Sequence, residues 1–288
     1  MSLASASASR PTCDTFAEVP QKYLTIDDVA TLVHHRGPTT LPGQPPDASQ
    51  GTTIVCLHDA GTNGKQFADL MDELSDAHSP IAYDQPGHGR SSGLDALPSI
   101  EAMVEQLASI TETWSIDSAV LVGEGLGAVV ALEATATHPN RFPAVVVIGG
   151  ASDKYELAEE ISGLAAITSG KARREFDRSG YAPDTDRSIY QKAFGNWVTT
   201  DPRATLGARR AQADWSLSAT PNSPVMIVVG EHEEADSATA AEALAQRLTK
   251  GQVHTLAGAG RRGVLEQPAA LAAAISEFLA TLDQGATT

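Results

Sequence analysis

Apolar positions along the chain fall into two periods. Residues 52–57, 80–83, 118–122, 143–148 and 225–229 are short, mostly apolar runs that read as strands, and 52–57 is β-branched and of the kind buried on both faces. A sixth strand is predicted over 252–256. Between them the apolar residues recur at helical spacing: Phe67, Leu70, Met71 and Leu74, then Ile100, Met103, Val104, Leu107 and Ile110. Further helices are predicted over 128–134, 235–248 and 268–282. Strands alternating with helices imply a mostly parallel sheet built from right-handed crossovers. Ahead of this series, 22–26 and 29–35 read as a hairpin turning at Asp27-Asp28. His34 and His35 are neighbours on its second strand and so face opposite sides. The proline-rich stretch 37–51 reads as a surface loop.

The alternation stops between 151 and 223, where charges, aromatics and helix-like stretches replace strong strands. The chain therefore divides into a flexible N-terminal tail (1–20), a first core segment (21–150), a helical cap (151–223) and a second core segment (224–284).

Charge narrows the partners. With 36 acidic residues against 20 basic, the net charge is −16, a field that repels nucleic acid and anionic membrane surfaces. No window approaches ~18 uninterrupted apolar residues, and the N-terminus lacks the pattern of a secretory signal. Of the two cysteines, Cys13 lies in the tail and Cys56 in a strand, which suggests a reducing, cytoplasmic setting rather than a disulfide. There is no metal-ligand spacing and no nucleotide-loop pattern, so neither a metal nor a cofactor is expected. The partner expected is a small-molecule ligand or substrate, and nothing in the sequence speaks to oligomeric state.

Four segments carry a resemblance. Val55-Cys-Leu-His-Asp-Ala-Gly61 ends a strand in a polar loop; Asp84-Gln-Pro-Gly-His-Gly-Arg-Ser91 is a glycine-rich turn; Gly123-Glu-Gly-Leu-Gly127 joins strand to helix; and Leu256-Ala-Gly-Ala-Gly-Arg-Arg-Gly-Val-Leu-Glu-Gln-Pro268 precedes the last helix. In this order the chain resembles an α/β-hydrolase of the esterase, lactonase and epoxide-hydrolase type. The resemblance implies an α/β-hydrolase fold: a mostly parallel sheet of about eight strands, helices on both faces and a helical cap. It also implies where catalysis would reside, and there the residues depart. Gly125 stands at the nucleophile position, Glu233 at the acid position and Arg261 at the histidine position. A serine mechanism needs a hydroxyl, a base near neutral pKa and a carboxylate that orients the base; only the carboxylate is present.

The remaining chemistry stays open in several directions. The resemblance assigns the oxyanion-binding amides to Ala60 and Leu126, beside His58, Asp59 and Gly125, and these do not depend on the triad. Arg261 reads either as a salt-bridge partner of Glu233 or as an anion clamp, while Arg262 is expected to face solvent. Asp59, Glu124 and His232 are candidate bases, each with a plain alternative as a turn, helix-terminus or loop residue. Asp153 is an alternative acid position; Ser91 and Ser92 belong to the glycine-rich turn; His138 and His254 read as structural.

Three functions follow. The first is a ligand-binding protein holding a carbonyl or carboxylate at the oxyanion corner. The second is an enzyme using non-covalent acid–base chemistry, as hydrolase, lyase or cyclase. The third is an interaction protein with a vestigial pocket. A corner filled by side chains favours the third; an open pocket with Asp59 or His232 pointing in favours the second; an open pocket with Arg261 paired to Glu233 favours the first.

Overall fold

The computed structural model describes residues 20–38, 40–149 and 155–285. Cys13, the rest of the tail before residue 20, and Asp153 lie outside these residues. The chain begins with a hairpin of β1 (Gln21–Ile26) and β2 (Val29–His35), in the register Ile26 opposite Val29 and Lys22 opposite Val33. Both turn residues take positive φ, Asp27 at 48° and Asp28 at 63°. That is the demand of a tight two-residue hairpin, and aspartate tolerates it better than most side chains.

The core series is β3 (Thr53–Leu57), α1 (Ala68–Leu74), β4 (Ser79–Tyr83), α2 (Ile100–Thr113), β5 (Val120–Glu124), α3 (Leu126–Thr137) and β6 (Val145–Ile148). After the insertion it resumes with β7 (Val225–Gly230), α7 (Ala235–Arg247), β8 (Gly251–Leu256), α8 (Gly263–Glu266) and α9 (Pro268–Gly285). Eight strands form one sheet in the order β1-β2-β4-β3-β5-β6-β7-β8. β2 pairs antiparallel with both β1 and β4, and every other pairing is parallel.

Alternate strand residues feed opposite faces, so the apolar runs build two cores. Val55, Leu57, Leu121, Val145 and Val147 pack with residues of α2, α3 and α7. Ile54, Cys56, Val122, Val146 and Val228 pack with residues of α1 and α9. Burial pushes the Cys56 thiol up, as expected of a core residue rather than a reactive one. The four-residue α8 was not foreseen in the sequence; it begins directly after Arg262, and that turn decides where the arginine goes.

Between β6 and β7 lie α4 (Ala158–Thr168), α5 (Arg187–Val198) and α6 (Pro202–Ala213), with no strand among the described residues. Asn63 Nδ2 donates to Asn196 O at 3.3 Å and to Thr199 Oγ1 at 3.0 Å, and Thr200 Oγ1 donates to Thr62 O at 3.0 Å. These bonds fasten the α5–α6 junction to the loop after β3. No described helix is long and apolar enough to cross a membrane, and no group of three or more His, Cys, Asp or Glu among the described residues is placed to hold a metal ion.

The glycine-rich turn is structural throughout. Asp84 Oδ1 accepts from Gly64 N and Oδ2 from Arg90 N, both at 2.8 Å. Ser91 Oγ donates to Asp84 O at 2.6 Å and accepts from Leu32 N at 2.9 Å. His34 Nε2 lies 2.9 Å from Asp84 Oδ1, so the turn is tied to β2 as well.

The tightest backbone approach in the core is α3 against β3. A Cβ on Gly127 would lie 1.9 Å from Leu57 O. Gly127→Ala is expected to cost about 2–3 kcal/mol, because helix and strand must separate to admit one methyl group. Urea unfolding measures it; a loss below about 0.5 kcal/mol would show that the two elements are not so closely packed.

Candidate functional site

The loop after β3 and the turn after β5 meet at the carboxyl ends of the strands, where open α/β sheets place their ligands. Gly125 sits between β5 and α3 with φ 57° and ψ −114°, a conformation that costs a side-chain-bearing residue about 1–3 kcal/mol and glycine little. The backbone of a nucleophile elbow is therefore present.

The space at that elbow is occupied by the chain itself. Asp59 is 1% exposed, and its carboxylate lies at the amides expected to form the oxyanion hole. Oδ1 accepts from Ala60 N and Leu126 N, each at 2.8 Å. Arg209, on α6, grips the same group in bidentate fashion: Nη1 to Oδ1 at 2.8 Å and Nη2 to Oδ2 at 3.1 Å. Arg262 adds a fifth donor, Nη1 to Oδ2 at 3.0 Å. A Cβ on Gly125 would stand 2.1 Å from Asp59 Oδ1 and 2.3 Å from its Cγ. One carboxylate thus occupies both places that the family resemblance assigns to a nucleophile and an oxyanion.

The charges are consistent with that arrangement. Burial alone would push the Asp59 carboxyl up; Arg209 and then Arg262 more than offset it and hold it well below the usual carboxylate range. Burial works against charge on both guanidiniums, but Asp59 keeps them protonated, with Glu160 assisting at Arg209 and Glu124 at Arg262. Arg209 Nε donates to Glu160 Oε1 at 2.8 Å, and Nη1 also donates to Gln212 Oε1 at 2.7 Å.

Glu124 borders this cluster. It is 1% exposed, with Oε2 accepting from Gln66 Nε2 at 2.9 Å and lying 3.7 Å from Arg262 Nη1. Its Oε1 is buried without a hydrogen-bond partner. Burial pushes its carboxyl up to about 7, against the pull of Arg262, and the Asp59 charge adds to the rise. Tyr181, in the insertion, has its phenol pushed up to about 12 by burial and stacks on Tyr190 with ring centres 4.8 Å apart.

Several expectations are corrected here. The Ala60 and Leu126 amides do not await a ligand oxygen, because Asp59 holds them both. Arg261 is exposed and, among the described residues, pairs with neither Glu233 nor Asp59; its backbone N donates to Gly180 O at 2.7 Å. Arg262, expected at the surface, is the arginine that turns inward. Glu233 Oε1 accepts from Gly230 N at 2.9 Å within its own turn, and burial raises its pKa. His232 is exposed, and its backbone N bonds Ala259 O. His58 does not line an opening: its ring is fully buried, Nε2 accepts from Gln85 N at 2.9 Å and Nδ1 donates to Asp59 O at 2.8 Å. Burial lowers its pKa, so it serves as a neutral staple between two loops.

The residues that sequence reasoning missed are Arg209, Arg262 and Glu266. Glu266 ties the insertion to the core, with Oε1 accepting from Ala182 N at 2.7 Å and Thr185 Oγ1 at 2.6 Å, and Oε2 from Gly260 N at 3.0 Å. The only advance signal was Asp59 itself, a carboxylate where glycine is usual.

With this geometry, the chain's relationships to known proteins can be placed. Residues 54–274 match the model of the alpha/beta hydrolase family, and the chain belongs to that family. It is 23% identical over 258 residues to the 2-hydroxymuconate semialdehyde hydrolase of Pseudomonas sp. (strain CF600), covering 83% of this chain and 91% of the relative. It is 26% identical over 253 residues to the 2-succinyl-6-hydroxy-2,4-cyclohexadiene-1-carboxylate synthase of Enterobacter sp. (strain 638), covering 78% of this chain and 91% of that one. A malate-bound thermophilic esterase from Thermogutta terrifontis superposes with a TM-score of 0.76 at 18% identity, over 91% of this chain and 98% of the other.

Asp59→Ala takes from the buried Arg209 and the half-buried Arg262 the carboxylate they share, and is expected to cost about 3–5 kcal/mol. Formate matches the group removed, so it should raise the melting temperature of this variant, but not of the wild type, beyond chloride at equal ionic strength. A variant as stable as the wild type, or one indifferent to formate, would contradict the five-donor arrangement.

Glu124 gives a pH signature. Its folded pKa of about 7 lies above the ordinary 4.5, so the folded chain keeps a proton that the unfolded chain has released. Stability should therefore fall as pH rises through that window, by about 3 kcal/mol in all, and level off above it. Glu124→Gln should remove that slope relative to the wild type in denaturant titrations at pH 5 and pH 8; an unchanged slope would assign it to another group.

Proposed function

We propose that this protein works by binding rather than by hydrolysis, and that its hydrolase corner is a carboxylate–arginine lock between the sheet and a cap formed by the inserted helices. The observation that carries this reading is the Asp59 carboxylate lying across the Ala60 and Leu126 amides under the bidentate grip of Arg209. Gly125 has no oxygen to attack with, Arg261 cannot accept a proton, and Glu233 is engaged in its own turn. A corner filled by side chains is the arrangement expected of an interaction protein with a vestigial catalytic pocket. The carboxylate foreseen at this corner as part of a ligand is instead the chain's own. The relatives named above are a hydrolase, a synthase and an esterase, and the serine chemistry usual in the family needs groups that this corner lacks. The acidic surface and the buried Cys56 thiol suit a cytoplasmic protein that meets neither nucleic acid nor membrane.

One observation favours a second reading. Glu124 is a buried carboxyl with an unpartnered oxygen and a pKa raised to about 7, beside a guanidinium. Such a group suits proton transfer near neutral pH without a covalent intermediate. One relative carries the name of a synthase rather than a hydrolase, which fits chemistry of this kind.

Purified protein should not react with a serine-directed fluorophosphonate and should not turn over aryl esters. Gly125→Ser should stay inactive as well, since the new side chain meets Asp59 and finds no base. Stoichiometric labelling of the wild type, read by intact-mass spectrometry, would overturn the reading.

A further inference from the structure

The insertion carries a second constellation that shares no residue with the Asp59 shell. Phe176, Phe194 and Trp197 form a triangle of rings, with centroids 5.6 Å apart for Phe176–Phe194, 5.6 Å for Phe176–Trp197 and 5.5 Å for Phe194–Trp197. Aromatic clusters normally lie inside a core, yet Phe194 is 46% exposed and Val198, one turn further along α5, is 53% exposed. Beside them opens a recess of about 580 Å³, lined by Phe176, Arg178, Thr185, Arg187, Tyr190 and Phe194. That volume suits a small organic molecule.

The two arginines of the recess distinguish it from an apolar blemish. Arg174, nearby, is already engaged: its guanidinium lies 3.9 Å over the Trp197 ring and donates to Trp197 O at 2.8 Å. Arg178 has only the Tyr190 ring, 5.5 Å away, and among the described residues neither Arg178 nor Arg187, both exposed, makes an ion pair or a side-chain hydrogen bond. Acidic residues outnumber basic ones 36 to 20 in this chain, so carboxylate partners are abundant. Two neighbouring guanidiniums without one, on an aromatic wall, are complementary to an anion with an apolar body.

We infer that this recess binds a small aryl or arylalkyl carboxylate, its ring against Phe176, Tyr190 and Phe194 and its carboxylate between Arg178 and Arg187. Aromatic faces accept the body by offset or edge contact, and the guanidinium forks fix the head. The site is independent of the closed corner, so its failure would leave the lock standing, and the reverse holds as well.

The test uses 4-phenylbutyrate as probe and the uncharged 4-phenylbutyramide as control. Trp197 packs against Phe176 and Phe194 of the recess while Trp114 and Trp215 lie in the core, which makes Trp197 the reporter. Titration should give a saturable change in tryptophan fluorescence with a Kd of about 1 mM or tighter, confirmed by calorimetry. The amide should bind at least about tenfold more weakly, as should the acid to the Arg178→Gln/Arg187→Gln variant, whose substitutions are exposed and should leave the melting temperature unchanged. Trp197→Phe should remove the fluorescence change but keep the heat of binding. No saturation by about 10 mM, equal affinity for acid and amide, or binding undiminished in the double variant would each overturn the inference.

Discussion

A buried carboxylate with five donors is the constraint on which the rest of this molecule turns. An ionised aspartate at 1% exposure is costly unless its lone pairs are met and its charge is balanced. Ala60 and Leu126 meet Oδ1 from the main chain, and Arg209 and Arg262 balance the charge from two separate elements. Each donor fixes an element. The Leu126 amide requires α3 to start at once after Gly125; Arg209 requires α6 to lie over the sheet; Arg262 requires the chain to turn into α8. The position of the inserted helices is thereby an electrostatic matter as much as a packing one.

The same carboxylate bears on the proposed loss of hydrolysis. Asp59 and a side chain at position 125 compete for one volume, since a Cβ there would lie 2.3 Å from the Asp59 Cγ. Once the carboxylate holds the amides, a serine has no room, and a histidine serving it would have nothing to activate. Arg261 can then face outward while its neighbour turns in. With Glu124 protonated, the charges of Asp59 and Glu160 are matched by those of Arg209 and Arg262. Ionising Glu124 adds a buried negative charge to that set, and burial is the main cause of its raised pKa.

Much of the fold was legible from the chain. Runs such as 54–57 and 143–148 are apolar at every position because parallel strands are covered on both faces, and their alternation with helical spacing dictates the sheet. The hairpin turn was legible because two aspartates at positive φ are a local matter. At the site, the elbow, the two amides and the anomalous Asp59 could be named in advance, because backbone geometry follows the local motif. The direction of the arginines could not. Arg261 and Arg262 are adjacent, and a single turn at the start of α8 decides which one enters. Arg209 lies 150 positions from Asp59 on a helix whose docking no local pattern encodes.

The closed corner and the exposed aromatic recess underlie the two proposals made for this molecule: a family scaffold whose corner serves as a structural tie, and a separate recess on the inserted helices that takes a ligand. The ionisation of Asp59 tests this most directly. In a protein labelled with carbon-13 at aspartate carboxyls, the Asp59 resonance, identified by its loss in Asp59→Asn, should not move between pH 7 and the onset of acid unfolding. A titration centred near about 4, the value of an aspartate in water, would mean that Asp59 lies free in an open corner and that the lock does not exist.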